Sequence, residues 1–235
     1  MYDPYRSAPC GWALSNDEVS AKSFARGLPF GRCPEGEQAD ITLANTTIEL
    51  IIGCMFSGKT TELIRRIEAL APSKRIVTLK PAIDDRYSPT HIVTHHRRTA
   101  TAQTVENARA ILGCVGDAEV VAIDEIHFFD DAIVEVCQEL AKRGMRVICT
   151  GLDLDMWGDV FPHVERLSRI ADTTVLTADC KACGRPANRT HRTVPLLDNN
   201  LVGGPEEFEP RCEKCFTPPA APKPAATTGL AEPPQ

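Results

Sequence analysis

Between residues 46 and 215 the chain carries two hydrophobic rhythms. Short runs rich in β-branched residues at 48–52, 75–80, 120–124 and 146–152 predict strands, and apolar positions three and four apart predict helices over 60–71 and near 131–143. Ile48-Glu49-Leu50-Ile51-Ile52 and Val120-Val121-Ala122-Ile123 are almost continuously apolar, as strands are when helices cover both faces of their sheet. Strands alternating with helices in this way predict an α/β fold, a parallel sheet flanked by helices, over 46–176. The rhythm fails at both ends. Residues 1–45 mix Gly, Pro and charge without periodicity and read as a weakly ordered extension. After Leu176 the pattern turns to Cys, Gly, Arg and Pro, which predicts a second, smaller module over 177–216. From 217 to 235, eleven of the nineteen residues are Ala or Pro, too little burial to offset ordering, so this segment reads as a disordered, semi-rigid tail.

Composition narrows the class. A chain of 235 residues, 43% hydrophobic and 25% charged, suits one substantial core with a small appendage. Its 26 Lys+Arg against 32 Asp+Glu give a net charge of −6, which argues against coating nucleic acid or anionic lipid. The expected partners are therefore small molecules, with no nucleic acid and no membrane. No apolar run approaches the ~18 residues of a membrane span, and no signal-like segment opens the sequence, so the expected location is cytoplasmic. Thiols stay reduced there, and the ten cysteines need another reading. Cys10, Cys33, Cys54, Cys114, Cys137 and Cys149 stand alone, several within apolar segments where Cys acts as a small hydrophobe. The other four are paired.

Gly53-Cys54-Met55-Phe56-Ser57-Gly58-Lys59-Thr60 fits G-x-x-x-x-G-K-[ST] between a predicted strand and a predicted helix, which makes the fold P-loop NTPase-like. Glycines there let backbone N–H groups close around phosphate oxygens, Lys59 adds charge at the β/γ-phosphates, and Thr60 offers a hydroxyl to Mg²⁺. The 120–123 strand ends in Asp124 and Glu125, where a doubly wound sheet presents ligands. Asp124 would hold the metal, directly or through water, and Glu125 would then be the general base for an attacking alcohol. A solvated acid pair is the plain alternative. Asp84-Asp85-Arg86-Tyr87 could add a magnesium contact and a cation for the transferring phosphoryl group; taken alone it reads first as a charged surface turn. Trp157 and Phe161 lie in a glycine-bounded loop that could carry ligand or simply pack the core.

Cys180-Lys181-Ala182-Cys183 and Cys212-Glu213-Lys214-Cys215 match tetrahedral four-cysteine zinc in ligand type and spacing, a structural rather than catalytic arrangement. The 28 residues between Cys183 and Cys212 would form a loop between two metal-held arms. A thioredoxin-like reading needs a βαβ setting that the pattern lacks here. Arg185, Arg189, His191 and Arg192 have no interleaved aromatics and read as a solvated hairpin or a phosphate contact rather than a nucleic-acid surface.

Taken in order, these segments resemble the zinc-containing (type II) thymidine kinase family, which has a P-loop core and a small cysteine-bearing lasso. Gly53 through Leu63 is similar to its phosphate loop, Asp84-Asp85-Arg86-Tyr87 to its acid-arginine loop, and Asp124-Glu125-Ile126-His127-Phe128 to its metal-and-base strand end. Gly151 to Phe161, Leu176-Thr177-Ala178 and Val202-Gly203-Gly204 follow in the family's order. The resemblance covers about residues 48–216 and leaves out both tails. It implies transfer of the γ-phosphoryl of ATP to the 5′-hydroxyl of thymidine, giving dTMP and ADP for nucleotide salvage. Glu125 would accept the proton; Arg86 and the strand end from Asp124 to His127, Ile126 included, would join the phosphate loop at ATP; Thr60, Asp84 and Asp124 would serve Mg²⁺. Phe128 would stack on the base, and Met55, Leu152 and Thr190 would approach the thymine. The loop containing Val202 and Phe208 would close over its polar edge, its ends held by a structural Zn²⁺ on Cys180, Cys183, Cys212 and Cys215. A homo-oligomer, a tetramer in the family, is implied as well. The sequence departs from the pattern at His127 (usually Gln), Met156-Trp157 (usually Phe-Arg) and Phe208 (usually Tyr). A kinase of another deoxynucleoside such as deoxyuridine, and a P-loop ATPase or nucleotide switch with a zinc-held partner-binding module, are the alternatives.

Overall fold

A computed structural model of the chain describes residues 47–84, 91–93, 99–195 and 203–220. The extension over 1–45, with Cys10 and Cys33, lies outside the described residues, as do Asp85, Arg86, Tyr87, Val202 and the tail from 221 onward. In chain order the first strands are β1 (Ile48–Ile52), β2 (Ile76–Pro81), β3 (His91–Val93), β4 (Thr99–Thr101), β5 (Gln103–Val105), β6 (Val120–Ile123), β7 (Arg146–Gly151) and β8 (Asp172–Val175), with helices α1 (Lys59–Leu70), α2 (Ile111–Cys114), α3 (Ile133–Lys142) and α4 (Pro162–Ser168) between them. Six strands form one sheet in the order β5-β2-β6-β7-β1-β8, parallel throughout. This is the α/β architecture that the hydrophobic rhythm predicts.

Period-two alternation explains why the central strands are apolar at nearly every position. Leu50, Ile52, Val121, Ile123, Val147 and Cys149 point to one face, under α2, α3 and α4, where Ile111, Ile133, Leu140 and Leu167 meet them. Ile51, Val120, Ala122 and Ile148 point to the other, under Leu63, Ile64 and Ile67 of α1 and Ile92 of β3. Each such aliphatic side chain, fully buried, contributes roughly 1.5–3 kcal/mol. Where only one face is covered the rhythm fades, and the sequence gives no warning of the strand. β8 reads Asp-Thr-Thr-Val and is half-buried to exposed; β5 is a three-residue edge strand with two exposed positions. The antiparallel β3–β4 pair covers part of the α1 face through Ile92 and Ala100.

Beyond Leu176 the parallel order stops. β9 (Ala178–Asp179) pairs antiparallel with β10 (Pro186–Ala187), and β11 (Arg189–Arg192) pairs antiparallel with β12 (Phe208–Arg211). Arg189, His191 and Arg192 thus belong to a short antiparallel ladder, but the solvated reading is corrected for Arg192, whose side chain is buried. At the base of the intervening loop Thr193 N–H donates to Glu207 O at 2.8 Å, and Gly204 N–H to the Glu207 carboxylate at 3.1 Å. Among the described residues no helix is long and apolar enough to cross a membrane.

Candidate active site

β6, β7 and β1 are neighbours in the sheet, and their carboxyl ends deliver the segments that carry chemistry to one rim. The turn after β1 is shaped by positive φ angles: 146° at Gly53, 67° at Phe56 and 88° at Gly58, the last preceding α1. Gly53 is also sterically required, since a Cβ there would lie 2.1 Å from the carbonyl oxygen of Leu176. Leu176 is held by its own N–H to Ile52 O at 2.8 Å, so it has little room to yield. Gly53→Ala should therefore cost at least ~2 kcal/mol of stability, read as a lowered denaturation midpoint, and a wild-type midpoint would refute this account of the turn.

Within the turn, Ser57 Oγ is buried without a hydrogen-bond partner. The buried Lys59 ammonium donates to Cys54 O at 2.7 Å. Burial pushes the Lys59 pKa down, while the negative charge of Glu125 does most to hold it up. An orphan hydroxyl, a desolvated ammonium resting on a carbonyl, and the N-terminus of a three-turn helix together fit a polyphosphate.

Asp124 follows β6 and is buried. It accepts hydrogen bonds from Thr60 Oγ1 at 3.3 Å, from the Glu125 N–H at 3.0 Å and from the Thr150 hydroxyl. Burial, and next the charge of Glu125, push its carboxyl up to about 7, while the Thr150 hydrogen bond resists the shift; Asp84 adds further repulsion. Hard oxygen ligands crowded so that their negative charge is unfavourable suit a divalent cation, which would reverse the shift. Asp84 is itself buried, its carbonyl accepting from Lys80 Nζ at 2.8 Å and its carboxylate 3.9 Å from the same nitrogen. Thus Thr60 and Asp124 are bonded and Asp84 is near enough for its charge to act on Asp124, in a surrounding that sequence reasoning missed. Thr150 and Lys80 are polar residues among the apolar positions of β7 and β2, and that inconsistency was the available signal.

Glu125 takes a left-handed conformation, φ 51°, which turns the chain off β6 into the short turn Ile126–Phe128. His127 is buried, its Nδ1 accepting the Leu152 N–H at 3.2 Å and lying 3.4 Å from Glu125 Oε2. Its ring centroid is 4.2 Å from that of Phe128 and 5.2 Å from that of Phe161. Phe128, Leu152 and Glu125 are thereby gathered around one imidazole, and Phe161 packs on it rather than standing in an open loop. Trp157 is half-buried and its N–H is capped by the Asp155 carboxylate at 2.9 Å. Met55 N–H donates to Thr190 Oγ1 at 3.0 Å, which joins two further nucleoside candidates. Phe208, by contrast, is buried with the Arg192 guanidinium 5.2 Å above its ring.

The two cysteine knuckles converge. One ligand atom from each of Cys180, Cys183, Cys212 and Cys215 lies within 4.8 Å of the others, and Cys183 Sγ is 3.6 Å from Cys212 Sγ, close to the ~3.8 Å edge of a tetrahedron with 2.3 Å metal–sulfur bonds. The Arg185 side chain, donating to Cys183 Sγ at 3.3 Å, brings that thiol down to about 6, which favours the thiolate a metal needs. Cys54 lies against this cluster. It packs with Cys180, Cys212 and Ala187, and its Sγ donates to Ala187 O at 3.3 Å. Cys54, which the sequence sets apart from the paired cysteines, thus clasps the phosphate turn to the cysteine module. Cys137 and Cys149 do sit in the core, with their sulfurs 3.7 Å apart.

Known proteins similar to this chain point to one family. The family described as thymidine kinase spans residues 46–216. A thymidine kinase of Rhodothermus sp. (strain ITI 518) is 41% identical over 188 residues, 79% of this chain and 87% of that protein. A thymidine kinase of Bacteroides thetaiotaomicron is 42% identical over 171 residues, 72% and 86% respectively. A crystal structure of Bacteroides Pif1 bound to ssDNA overlaps 55% of this chain and 38% of its own at a TM-score of 0.29 and 18% identity, too small a likeness to carry weight. A family match from residue 46 to residue 216, and identities of 41% and 42% over more than two thirds of the chain, have one reading: the chain belongs to the thymidine kinase family.

Proposed function

We propose that the chain transfers the γ-phosphoryl group of ATP to the 5′-hydroxyl of thymidine, giving dTMP and ADP. The observation that supports it most is the carboxylate pair at the end of β6, with Asp124 bonded to Thr60 and Glu125 beside His127 and near enough to Lys59 for its charge to act there. ATP phosphates occupy the Gly53–Thr60 turn. Lys59 exchanges Cys54 O for a phosphate oxygen, Ser57 gains the partner it lacks, and Arg86 contacts phosphate from the acid-arginine loop. Thr60, Asp124 and Asp84 would hold Mg²⁺, which would supply positive charge to offset that of the phosphates. Glu125 accepts the 5′-hydroxyl proton as the oxygen attacks phosphorus, and the bond to the ADP oxygen breaks.

Met55, Phe128, Leu152 and Thr190 surround the thymine, and main-chain groups of the loop from Val202 to Phe208 meet its polar edge. The four cysteines hold Zn²⁺ as a structural clip, residues 46–176 forming the catalytic part and 177–216 the clip with its loop. A cytoplasmic homo-oligomer completes this reading.

A panel of nucleosides with ATP and Mg²⁺ tests the proposal through kcat/KM. Loss of the thymine methyl forfeits only ~1 kcal/mol of apolar contact, so deoxyuridine should be a weaker but real substrate, about 5-fold down. Deoxycytidine reverses the donor and acceptor pattern facing buried backbone groups, at a cost of ~1–3 kcal/mol per mismatched group, and should fall well below deoxyuridine. Equal use of deoxycytidine and thymidine would replace this reading with a broader deoxynucleoside kinase.

A further inference from the structure

Asp124 and Thr150 meet because of where two strands lie. β6 and β7 run parallel with Ile123 opposite Cys149, so Asp124 and Thr150 are the next positions along. Alternation puts Thr150 on the same face as Ile148, and Asp124 on the same face as Ala122, which is the face that α1 covers. Thr60 is the second residue of α1, and its hydroxyl reaches the same carboxylate. Thr150 is fully buried. A buried hydroxyl is costly unless it finds an acceptor, and this one finds Asp124 Oδ1.

These bonds divide the carboxylate. Oδ1 accepts the Thr150 hydroxyl and the Glu125 N–H, the latter at 3.0 Å, whereas Oδ2 accepts a longer bond, from Thr60 Oγ1 at 3.3 Å. Each oxygen of an ionised carboxylate has room for about two partners, so among the described residues Oδ1 is filled while Oδ2 keeps a lone pair beside Thr60. Thr60 can donate to Oδ2 and still offer its own oxygen to a cation. The last torsion of an Asp side chain is broad and roughly two-fold, so neighbours decide which oxygen faces where. The Glu125 N–H belongs to the adjoining residue; the Thr150 hydroxyl is anchored on another strand.

We infer that Thr150 is a positioning residue for the magnesium site: its hydroxyl, fixed to β7, holds Asp124 Oδ1 so that Oδ2 stays presented beside Thr60. This rests on the proposed reading of Asp124 as a magnesium ligand. Removing a partner that orients a metal ligand typically costs about 10-fold to 10²-fold in metal affinity. The role needs the hydroxyl and not the methyl of Thr. Ser keeps the donor, whereas Val keeps the branched shape and lacks it.

The test uses the full chain, purified without chelator, as wild type, Thr150→Val, Thr150→Ser and Asp124→Asn. A fluorescent ATP analogue is titrated with and without added Mg²⁺, the ratio of the two dissociation constants giving the gain due to the cation, and melting temperatures are recorded alongside. In Thr150→Val that gain should fall about 10-fold, with affinity in the absence of Mg²⁺ within about twofold of wild type, and half-maximal rate should need about 10-fold more Mg²⁺. Thr150→Ser should stay within about threefold of wild type on both counts. A wild-type gain in Thr150→Val, with the gain reduced in Asp124→Asn, would overturn the inference alone. So would equal losses in Thr150→Val and Thr150→Ser that follow melting temperature, since these mark packing. A wild-type gain in Asp124→Asn would instead overturn the reading of Asp124 on which the inference rests.

Discussion

Glu125→Gln should reduce turnover by ~10²-fold or more with thymidine binding retained. Gln keeps the volume of the side chain and can still face His127 Nδ1, which lies 3.4 Å from the native carboxylate, but it cannot accept the hydroxyl proton. Isothermal calorimetry with thymidine should give a dissociation constant within about threefold of wild type, because the change acts on the transition state rather than on ground-state contacts. Asp124→Asn provides the contrast. Its contacts run to Thr60 and Thr150, so its main effect should fall on the magnesium concentration needed for half-maximal rate. Near-normal turnover of Glu125→Gln would move the base elsewhere, with Asp84 the next carboxylate to replace.

Removing metal from the four-cysteine centre should be as damaging, and its reach should extend to ATP. Protein purified without chelator is expected to hold one zinc per chain by elemental analysis. Structural zinc supplies ~10–16 kcal/mol of binding free energy in small modules, so chelation should unfold the β9–β12 region while the six-stranded sheet keeps its far-ultraviolet signal. A clip acting only on the nucleoside loop would leave ATP affinity unchanged. Here Cys54, inside the phosphate turn, packs on Cys180 and Cys212 and bonds to Ala187, and Met55 N–H depends on Thr190. Binding of a fluorescent ATP analogue should therefore weaken by about 10-fold, equivalent to ~1.4 kcal/mol, in step with loss of thymidine binding. Full kinase activity in metal-free protein would defeat the assignment, and unchanged analogue binding would defeat the clasp.

How far the sequence reveals this molecule depends on how local each signal is. The phosphate turn is legible because its glycines, Lys59 and Thr60 are contiguous and lie between a strand and a helix. The cysteine knuckles are legible because each C-x-x-C is a local unit, and their pairing requires only one loop to close. Asp124 and Glu125 are legible as the end of an apolar strand, but the left-handed turn at Glu125 has no signature in the letters Asp-Glu-Ile-His. Thr150 and Lys80 depend on which strands are neighbours, and β6 lies between β2 and β7 only after the parallel order is known. The edge strands β5 and β8 escape notice because half of their positions face water. Cys54 is the sharpest case. Its partners are more than a hundred positions away, and a lone cysteine in a glycine-rich turn says nothing about them.

The place of β1 in the sheet also bears on how the chain is made. Of the sheet's strands β1 leaves the ribosome first, yet its neighbours are β7 and β8, with Ile48 opposite Val147 and Glu49 opposite Asp172. At ~5–20 residues per second, the Ile48–Ile52 strand waits about 5 to 20 s for its first partner, with both edges unpaired and an apolar side chain at four of its five positions. The phosphate turn waits longer still, because Gly53 is seated against Leu176 O and Cys54 against Ala187. Nascent chains shorter than this carry an apolar strand with both edges unpaired and no nucleotide site, so ATP cannot assist their folding.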